Sequence, residues 1–223
     1  MATPTLTQDG IAYVLNFGDD ENVTSDAWVE TCHVLLDEVE AAEGPRILVT
    51  TGSAKHYSNG LDTEFIGQVD AQELGEYVDR VFQLVYRIML LPVPTVAAVN
   101  GHAFGAGAFF VLAHDQSVMR EDRGYFCFPE VHLQMPIPPP LMCVARAALP
   151  PQTLRQAVTT GHRYSGPEAA AASIVDRVAG ADELLSVARA MAEPYATAAS
   201  ANLGGLKRDL FPEVVGFVGA ERN

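Results

Sequence analysis

The sequence predicts an α/β protein in which strands and helices alternate through the first half and helices dominate the second. Three observations carry this. Short apolar runs, RILVTT (46–51) and PTVAAV (94–99), have the length and composition of strands buried on both faces. Longer stretches between and beyond them repeat apolar residues at helical spacing. Both runs also leave through turns of one kind, glycine-bearing and opening into a helical pattern: GSAKHYSNGLD (52–62) and NGHAFGAG (100–107).

In chain order, GIAYVLNF (10–17) reads as an opening strand ended by the turn cluster Gly18-Asp19-Asp20. Ser25 with Asp26 marks a helix start, and Trp28, Cys32, Leu35, Leu36 and Val39 recur on one face behind it. Gly44-Pro45 stops that helix before the strand at 46–51. A long helix over 71–91 carries Leu74, Val78, Val81, Val85 and Ile88 as a stripe, with Pro92 and Pro94 past its end. Residues 95–99 form a third strand. The helix over 105–114 is apolar all round, so it must be buried. Short strands follow at 117–119 and 124–128. Pro136, Pro138, Pro139 and Pro140 fix a stiff turn that opens a helix over 141–149. Ser165-Gly-Pro-Glu168 has the spacing of a capping box. Residues 174–178 give a last strand, and helices cover 182–196 and 202–219.

The 223 residues suffice for one domain with a substantial core, which we place at 1–195, followed by a helical segment at 196–223. A content of 48% hydrophobic and 19% charged residues excludes a disordered chain. No apolar run approaches the roughly 20 residues that span a bilayer, so membrane insertion is not expected. The start, MATPTLTQDG, lacks the basic and apolar regions of an export signal, and the end, GAERN, matches no lipid or peroxisomal tag. A cytoplasmic location is the resulting expectation. Cys32, Cys127 and Cys143 show no CxxC spacing and read as reduced core thiols. A net charge of −14 argues against nucleic acid, which needs a basic face. It leaves room for a small anionic ligand, because surface charge is screened beyond about 8 Å.

The chemistry concentrates at three places. Gly60 frees the first turn to adopt angles other residues resist, and the Leu61 amide follows it at a helix start, where N–H groups lack partners. Gly105-Ala106-Gly107 repeats the arrangement, with Ala106 heading the buried helix. Either turn alone could simply end a strand. Together they can aim two N–H donors at one spot, as an enzyme does to hold negative charge on an acyl oxygen. Glu130, in YFCFPEVHLQMP, has apolar neighbours that would desolvate its carboxyl and raise its pKa, suiting it to take and return a proton. Its plain alternative is a solvent-facing acid at a strand end. Neither Ser53 nor Ser58 lies in a GxSxG elbow. The six histidines show no HExxH or other ligand spacing, so no metal site is expected. Phe110 occupies the last glycine position of a GxGxxG, which weakens a dinucleotide reading.

These residues resemble the crotonase (enoyl-CoA hydratase/isomerase) superfamily from about residue 10 onward. KHYSNGLD is similar to its first oxyanion motif, NGHAFGAGAFF to its second, FPEVHLQMPIPP to the segment bearing its catalytic glutamate, and HRYSGPEAAAASIVDRV to a downstream element. The resemblance implies a crotonase-like (ClpP/crotonase) spiral of β-β-α turns with a helical C-terminal region. It implies oxyanion donors at the amides of Leu61 and Ala106 and an acid/base at Glu130. The implied partners are an acyl-CoA thioester substrate and copies of this chain, as a homotrimer or dimer of trimers held partly by residues 196–223. Coenzyme A is then part of the substrate and no cofactor is needed. Lys55, Asn59 and Asp62 are candidate coenzyme contacts, and Lys207 or Arg208 candidates for its phosphates. Phe109, Ile137, Leu141 and Met142 are the candidate walls of the acyl pocket.

One departure bears on the reaction. Hydratases of this superfamily carry a second glutamate three positions after the second donor, where this chain has Phe109. A phenyl ring neither binds a proton nor orients water. The SNGLD form and the proline-rich turn after Glu130 also resemble the short Δ3-Δ2-enoyl-CoA isomerases. The expectation is therefore migration of a 3-enoyl-CoA double bond to the 2-trans position by a single-glutamate shuttle. Its rivals are an enoyl-CoA hydratase or other crotonase-type reaction, and an acyl-CoA-binding homologue without catalysis.

Overall fold

A computed structural model describes residues 3–220. The chain opens as a hairpin of β1 (Thr5–Asp9) and β2 (Ala12–Asn16), turned at Gly10, whose φ is +62°. The single strand expected at 10–17 is thus the second arm only. The first arm was not legible because TLTQD lies at the sheet edge, largely exposed, with one apolar residue in five. Helix α1 (Asp26–Ala41) is capped by the Ser25 hydroxyl, and Arg46 donates to the carbonyls of Val39 and Glu40 at its other end. Then follow β3 (Ile47–Thr51), β4 (His56–Ser58), α2 (Thr63–Ile66), α3 (Ala71–Leu90), β5 (Thr95–Val99), β6 (His102–Phe104) and α4 (Ala106–Leu112). The next elements are β7 (Gln116–Arg120), β8 (Phe126–Cys127), α5 (Glu130–Leu133), α6 (Pro139–Ala148), α7 (Pro151–Thr160) and α8 (Gly166–Ala171). The chain ends with β9 (Arg177–Ala179), α9 (Leu184–Ala192), a 3-10 turn (Glu193–Ala198), α10 (Ala201–Leu210) and α11 (Pro212–Ala220).

Two sheets result. The larger has six strands in the order β1-β2-β3-β5-β7-β9, parallel except for the opening hairpin, and the smaller runs parallel as β4-β6-β8. Each passage from β3, β5 or β7 goes directly to a strand of the small sheet and then to a helix, so the chain climbs as a spiral of β-β-α turns. The strands of the small sheet span three, three and two residues. They are too short to show a period of two, which is why the sequence displayed β4 and β6 only as glycine-bearing loops, whereas β8 lies within the strand expected at 124–128.

Both faces of the large sheet are covered. Leu48, Ala97 and Val99 face the main core under α1, α3 and α4, while Ile47, Val49, Val96 and Ala98 meet Leu184, Ala188 and Met191 of α9. This double burial produced the unbroken apolar runs in the sequence. The strand expected at 174–178 begins only at Arg177, because Ile174 and Val175 fold back onto the end of α8 through amides that donate to Ala169 O. Helix α7, TLRQAVTT in its middle, escaped detection for lack of a wide apolar stripe; Ala157 is its one buried residue. No helix of the described residues is long and apolar enough to cross a membrane.

The C-terminal helices pack on their own chain, with Val214 buried against the main core. Lys207 is likewise buried. Its ammonium donates to Asp115 Oδ2 at 2.7 Å and to Val93 O at 3.1 Å, tying α10 to the loops before β5 and β7. The expectation that Lys207 could reach coenzyme phosphates is therefore corrected: an internal carboxylate holds it. Breaking a fully buried ion pair costs about 3–5 kcal/mol, and the partial exposure of Asp115 lowers that figure. Lys207→Met, which keeps the volume, should lose about 2 kcal/mol of stability in urea unfolding. An unchanged midpoint would show that the pair contributes nothing.

Candidate active site

The two glycine turns meet backbone to backbone. Gly60 has φ +85°, and a Cβ placed on it would lie 2.7 Å from Phe104 O and 2.9 Å from Ala106 N. From the other side, a Cβ on Gly107 would lie 2.2 Å from Ser58 O. Only hydrogen atoms fit at either place, so the two turns approach as closely as main chains can.

At this contact amides are left over on both turns. Asn59 N donates to Glu21 O at 2.9 Å, Gly60 N to Ser58 Oγ at 3.2 Å, and Asp62 N to Tyr77 Oη at 2.8 Å. The Leu61 amide between them has no acceptor among the described residues. Gly105 N donates to Cys127 O at 3.2 Å, and Ala108 N and Phe109 N both turn to Gly105 O. The Ala106 amide, first in α4, has none, and neither has that of Gly107 after it. Because Gly60 packs on Ala106, the Leu61 and Ala106 donors belong to one locus.

Glu130 completes it. It is the first residue of α5, not a strand end as its plain reading supposed, and it enters through Pro129. One carboxyl oxygen, Oε1, lies 3.8 Å from where a Cβ on Gly105 would stand. The other, Oε2, is buried without a hydrogen-bond partner among the described residues. Burial raises the pKa, and the helix-start amide of Glu130 itself offsets part of the rise. Two residues before the acid, the Phe128 ring is fully buried against that of Phe109, centroids 4.8 Å apart. A desolvated acid and two unpaired donors share one apolar corner, an arrangement able to move a proton beside an oxygen that gains charge.

The remaining sequence candidates scatter. Ile137 and Leu141 pack in the main core with Phe109, whereas Met142, one residue round α6, turns into a groove against α7 with Leu149, Leu154 and Val158. Lys55 is exposed. Asn59 is half-buried, and its amide reaches Glu21 at 3.2 Å. Asp62 caps α2, accepting from the amides of Glu64 and Phe65 at 3.1 Å. Arg208 lies exposed on α10. Three contributors went unnoticed in the sequence: Ser58, weighed only as a nucleophile, and Tyr77 and Thr24, which grip both sides of Leu61. Tyr77 Oη and Thr24 Oγ1 are 3.0 Å apart, and Thr24 N donates to Gly60 O. Residues separated by 53 positions give no local sign of such a contact. No group of three or more His, Cys, Asp or Glu among the described residues could hold a metal ion.

Residues 7–214 match the family model described as enoyl-CoA hydratase/isomerase. Among curated proteins, the chain is 30% identical to the peroxisomal enoyl-CoA delta isomerase 2 of Arabidopsis thaliana, over 97% of this chain and 95% of that one. Among solved structures, an enoyl-CoA hydratase of Mycobacterium ulcerans superimposes with a TM-score of 0.89 at 25% identity, over 98% and 96% of the two chains. An enoyl-CoA isomerase of Mycobacterium tuberculosis gives 0.88 at 23% identity, over 97% and 94%, a likeness of fold.

The whole locus depends on the approach at Gly60. Gly60→Ala would drive a methyl group into Phe104 O and the Ala106 amide, separating the donors without touching Glu130. Loss of one such donor costs about 10²–10³ in rate. The variant should fold, by circular dichroism, and lose at least ~100-fold in thioester turnover. Near-native turnover would show that the two amides do not act together.

Proposed function

Because the chain belongs to the enoyl-CoA hydratase/isomerase family, we propose that it shifts the double bond of a 3-enoyl-CoA to the 2-trans position. The thioester carbonyl makes the C2 proton acidic, and Glu130 removes it. The Leu61 and Ala106 amides stabilise the dienolate oxygen that forms. Glu130, now protonated, returns the proton at C4, and no cofactor takes part. The observation that carries this reading is the buried carboxyl of Glu130, with Oε2 unpartnered and Oε1 3.8 Å from where a Cβ on Gly105, the residue before the Ala106 donor, would stand.

Phe109 favours isomerisation over hydration. Its ring closes the position from which a second carboxylate would direct water, and dry walls protect a dienolate from side reactions. Ile137 and Leu141 are proposed to bound the acyl chain with it. Cations gather beside the first loop, although Glu21 and Asp20 also act on His56 there. The pKa of His102 is lowered by burial and by His56, Lys55, Arg163 and Arg123. Lys55, with Asn59 beside it, is accordingly proposed to meet the anionic coenzyme. Leu206 and Leu210, one turn apart on α10, are 57% and 70% exposed. They support assembly of this chain into trimers through residues 196–223.

Glu130→Gln tests the shuttle: turnover of 3-enoyl-CoA should fall by about 10²–10⁴. An unchanged rate would remove Glu130 from the reaction. With wild-type protein, 2-enoyl-CoA separates the rivals, since rapid loss of its conjugated absorbance would mean hydration. Binding without turnover of any enoyl thioester would mean a carrier.

The raised pKa of Glu130 also has a stability signature. Its folded pKa lies above the unfolded one, so its contribution is fully present below the ordinary carboxylate range and is lost as pH rises through the folded value. Glu130→Gln should therefore raise Tm at neutral pH, and the gain should vanish in acid below the ordinary carboxylate range. An equal Tm difference at both pH values would contradict a desolvated carboxyl.

A further inference from the structure

A line of hydrogen bonds crosses the core between the two donor turns without touching the site. Tyr57 Oη lies 2.6 Å from Thr50 Oγ1, and Thr50 Oγ1 lies 2.9 Å from His114 Nε2. His114 Nδ1 lies 2.7 Å from Phe110 O. A carbonyl can only accept, so Nδ1 carries the proton and Nε2 is bare. Thr50 must then donate to His114, which leaves its oxygen to accept from Tyr57. Every member has one assigned direction and a satisfied partner. Tyr57 and Thr50 are fully buried, and burial pushes the pKa of His114 down to about 4, so the imidazole stays neutral at physiological pH.

The ends of this line are informative. Tyr57 is the middle residue of β4, the strand that runs into the Leu61 turn. The β4–β6 ladder pairs His56 with His102 and Ser58 with Ala103, slipping register across Tyr57, so strand pairing alone does not fix the strand there. Phe110 belongs to α4, seven residues long and wholly buried, one helical turn behind Ala106 at its head. Thr50, at the centre, is anchored in β3 by pairing on both sides. Apolar side chains would fill this space at less desolvation cost; a directional chain instead sets distances.

We propose that Tyr57, Thr50 and His114 are positioning residues that fix the separation of the Leu61 and Ala106 donors, holding β4 and α4 against the common reference of β3. This rests on the oxyanion-hole reading of those amides. It predicts an effect on the charged transition state and little on substrate binding. A misplacement near 1 Å can cost about 10²-fold in rate.

The test compares Thr50→Val, nearly the same shape without the hydroxyl, with Thr50→Ser, which restores it. Two rates are read: 3-enoyl-CoA turnover, and exchange of thioester C2 protons with D2O by NMR. In Thr50→Val, kcat and exchange should fall about 10–100-fold with KM within about twofold, while Thr50→Ser stays within about threefold of wild type. A folded Thr50→Val with native kcat, a loss confined to KM, or a Thr50→Ser as slow as valine would overturn the proposal. If Thr50→Val does not fold, Tyr57→Phe is read in its place: a several-fold fall in kcat supports the proposal and native kcat overturns it. Amide hydrogen exchange does not depend on the reaction. The Gly60 and Gly105 amides, both hydrogen-bonded in the wild type, should exchange faster together in the variant. If wild-type protein turns over no thioester, the functional reading fails, and unaltered exchange at both glycines would separately remove the positioning claim.

Discussion

Everything in this molecule that bears on chemistry depends on two main chains touching without side chains between them. A methyl group at Gly60 or Gly107 would fall well inside the repulsive distance of the opposing backbone, at 2.7 Å and 2.2 Å. Main-chain donors cannot be moved by choosing another rotamer; they point where the backbone points. An enzyme using them must therefore build the backbone approach into its fold. The β-β-α spiral supplies it, because successive turns place β4 beside β6 in parallel and release the chain from both strands at the same level. The same logic repeats beneath, where a Cβ on Gly101 would meet Lys55 O at 1.9 Å. The small sheet is thus held together as much by missing side chains as by hydrogen bonds.

The site's electrostatics follow from burial more than from net charge. A surface charge of −14 would repel an acyl-CoA at long range, but screening confines that effect to about 8 Å. Within the corner, Glu130 carries a titratable acid whose environment disfavours ionisation. This balance suits a group that must hold a proton for part of the cycle and release it for the rest. A solvated carboxylate, with its lower pKa, would abstract the proton weakly.

Much of this was legible in the sequence, for identifiable reasons. β3 and β5 announced themselves because burial on both faces removes polar residues altogether. The donors could be located from glycine spacing, since few other residues tolerate φ near +85°. The supports could not. Thr24 and Asn22 reach the turn across 34 or more residues and Tyr77 across 15, and a buried hydroxyl looks the same in sequence whether it holds a turn or fills a gap. Lys207 shows the converse. In the late segment it was a candidate for the coenzyme phosphates, yet its surroundings turn it inward to Asp115. A charged side chain declares its charge in sequence but not its partner, which the tertiary fold assigns.

The position of Phe109 closes the chemical argument. Adding water to a double bond needs a group that holds the water and takes its proton, besides one that serves the carbon. Migration needs a single group able to reach two carbons separated by one bond pair, on one face of a planar dienolate. The corner holds one carboxyl, with one oxygen toward Gly105 and the other unpaired. Two oxygens on one carboxyl are spaced about as C2 and C4 are, so one can abstract while the other delivers, with little movement of the side chain. Phe109, buried against Phe128, offers no second carboxylate to direct water. On the proposed reading, the amides would hold the oxygen of the dienolate and keep the carbon skeleton fixed while the proton changed place.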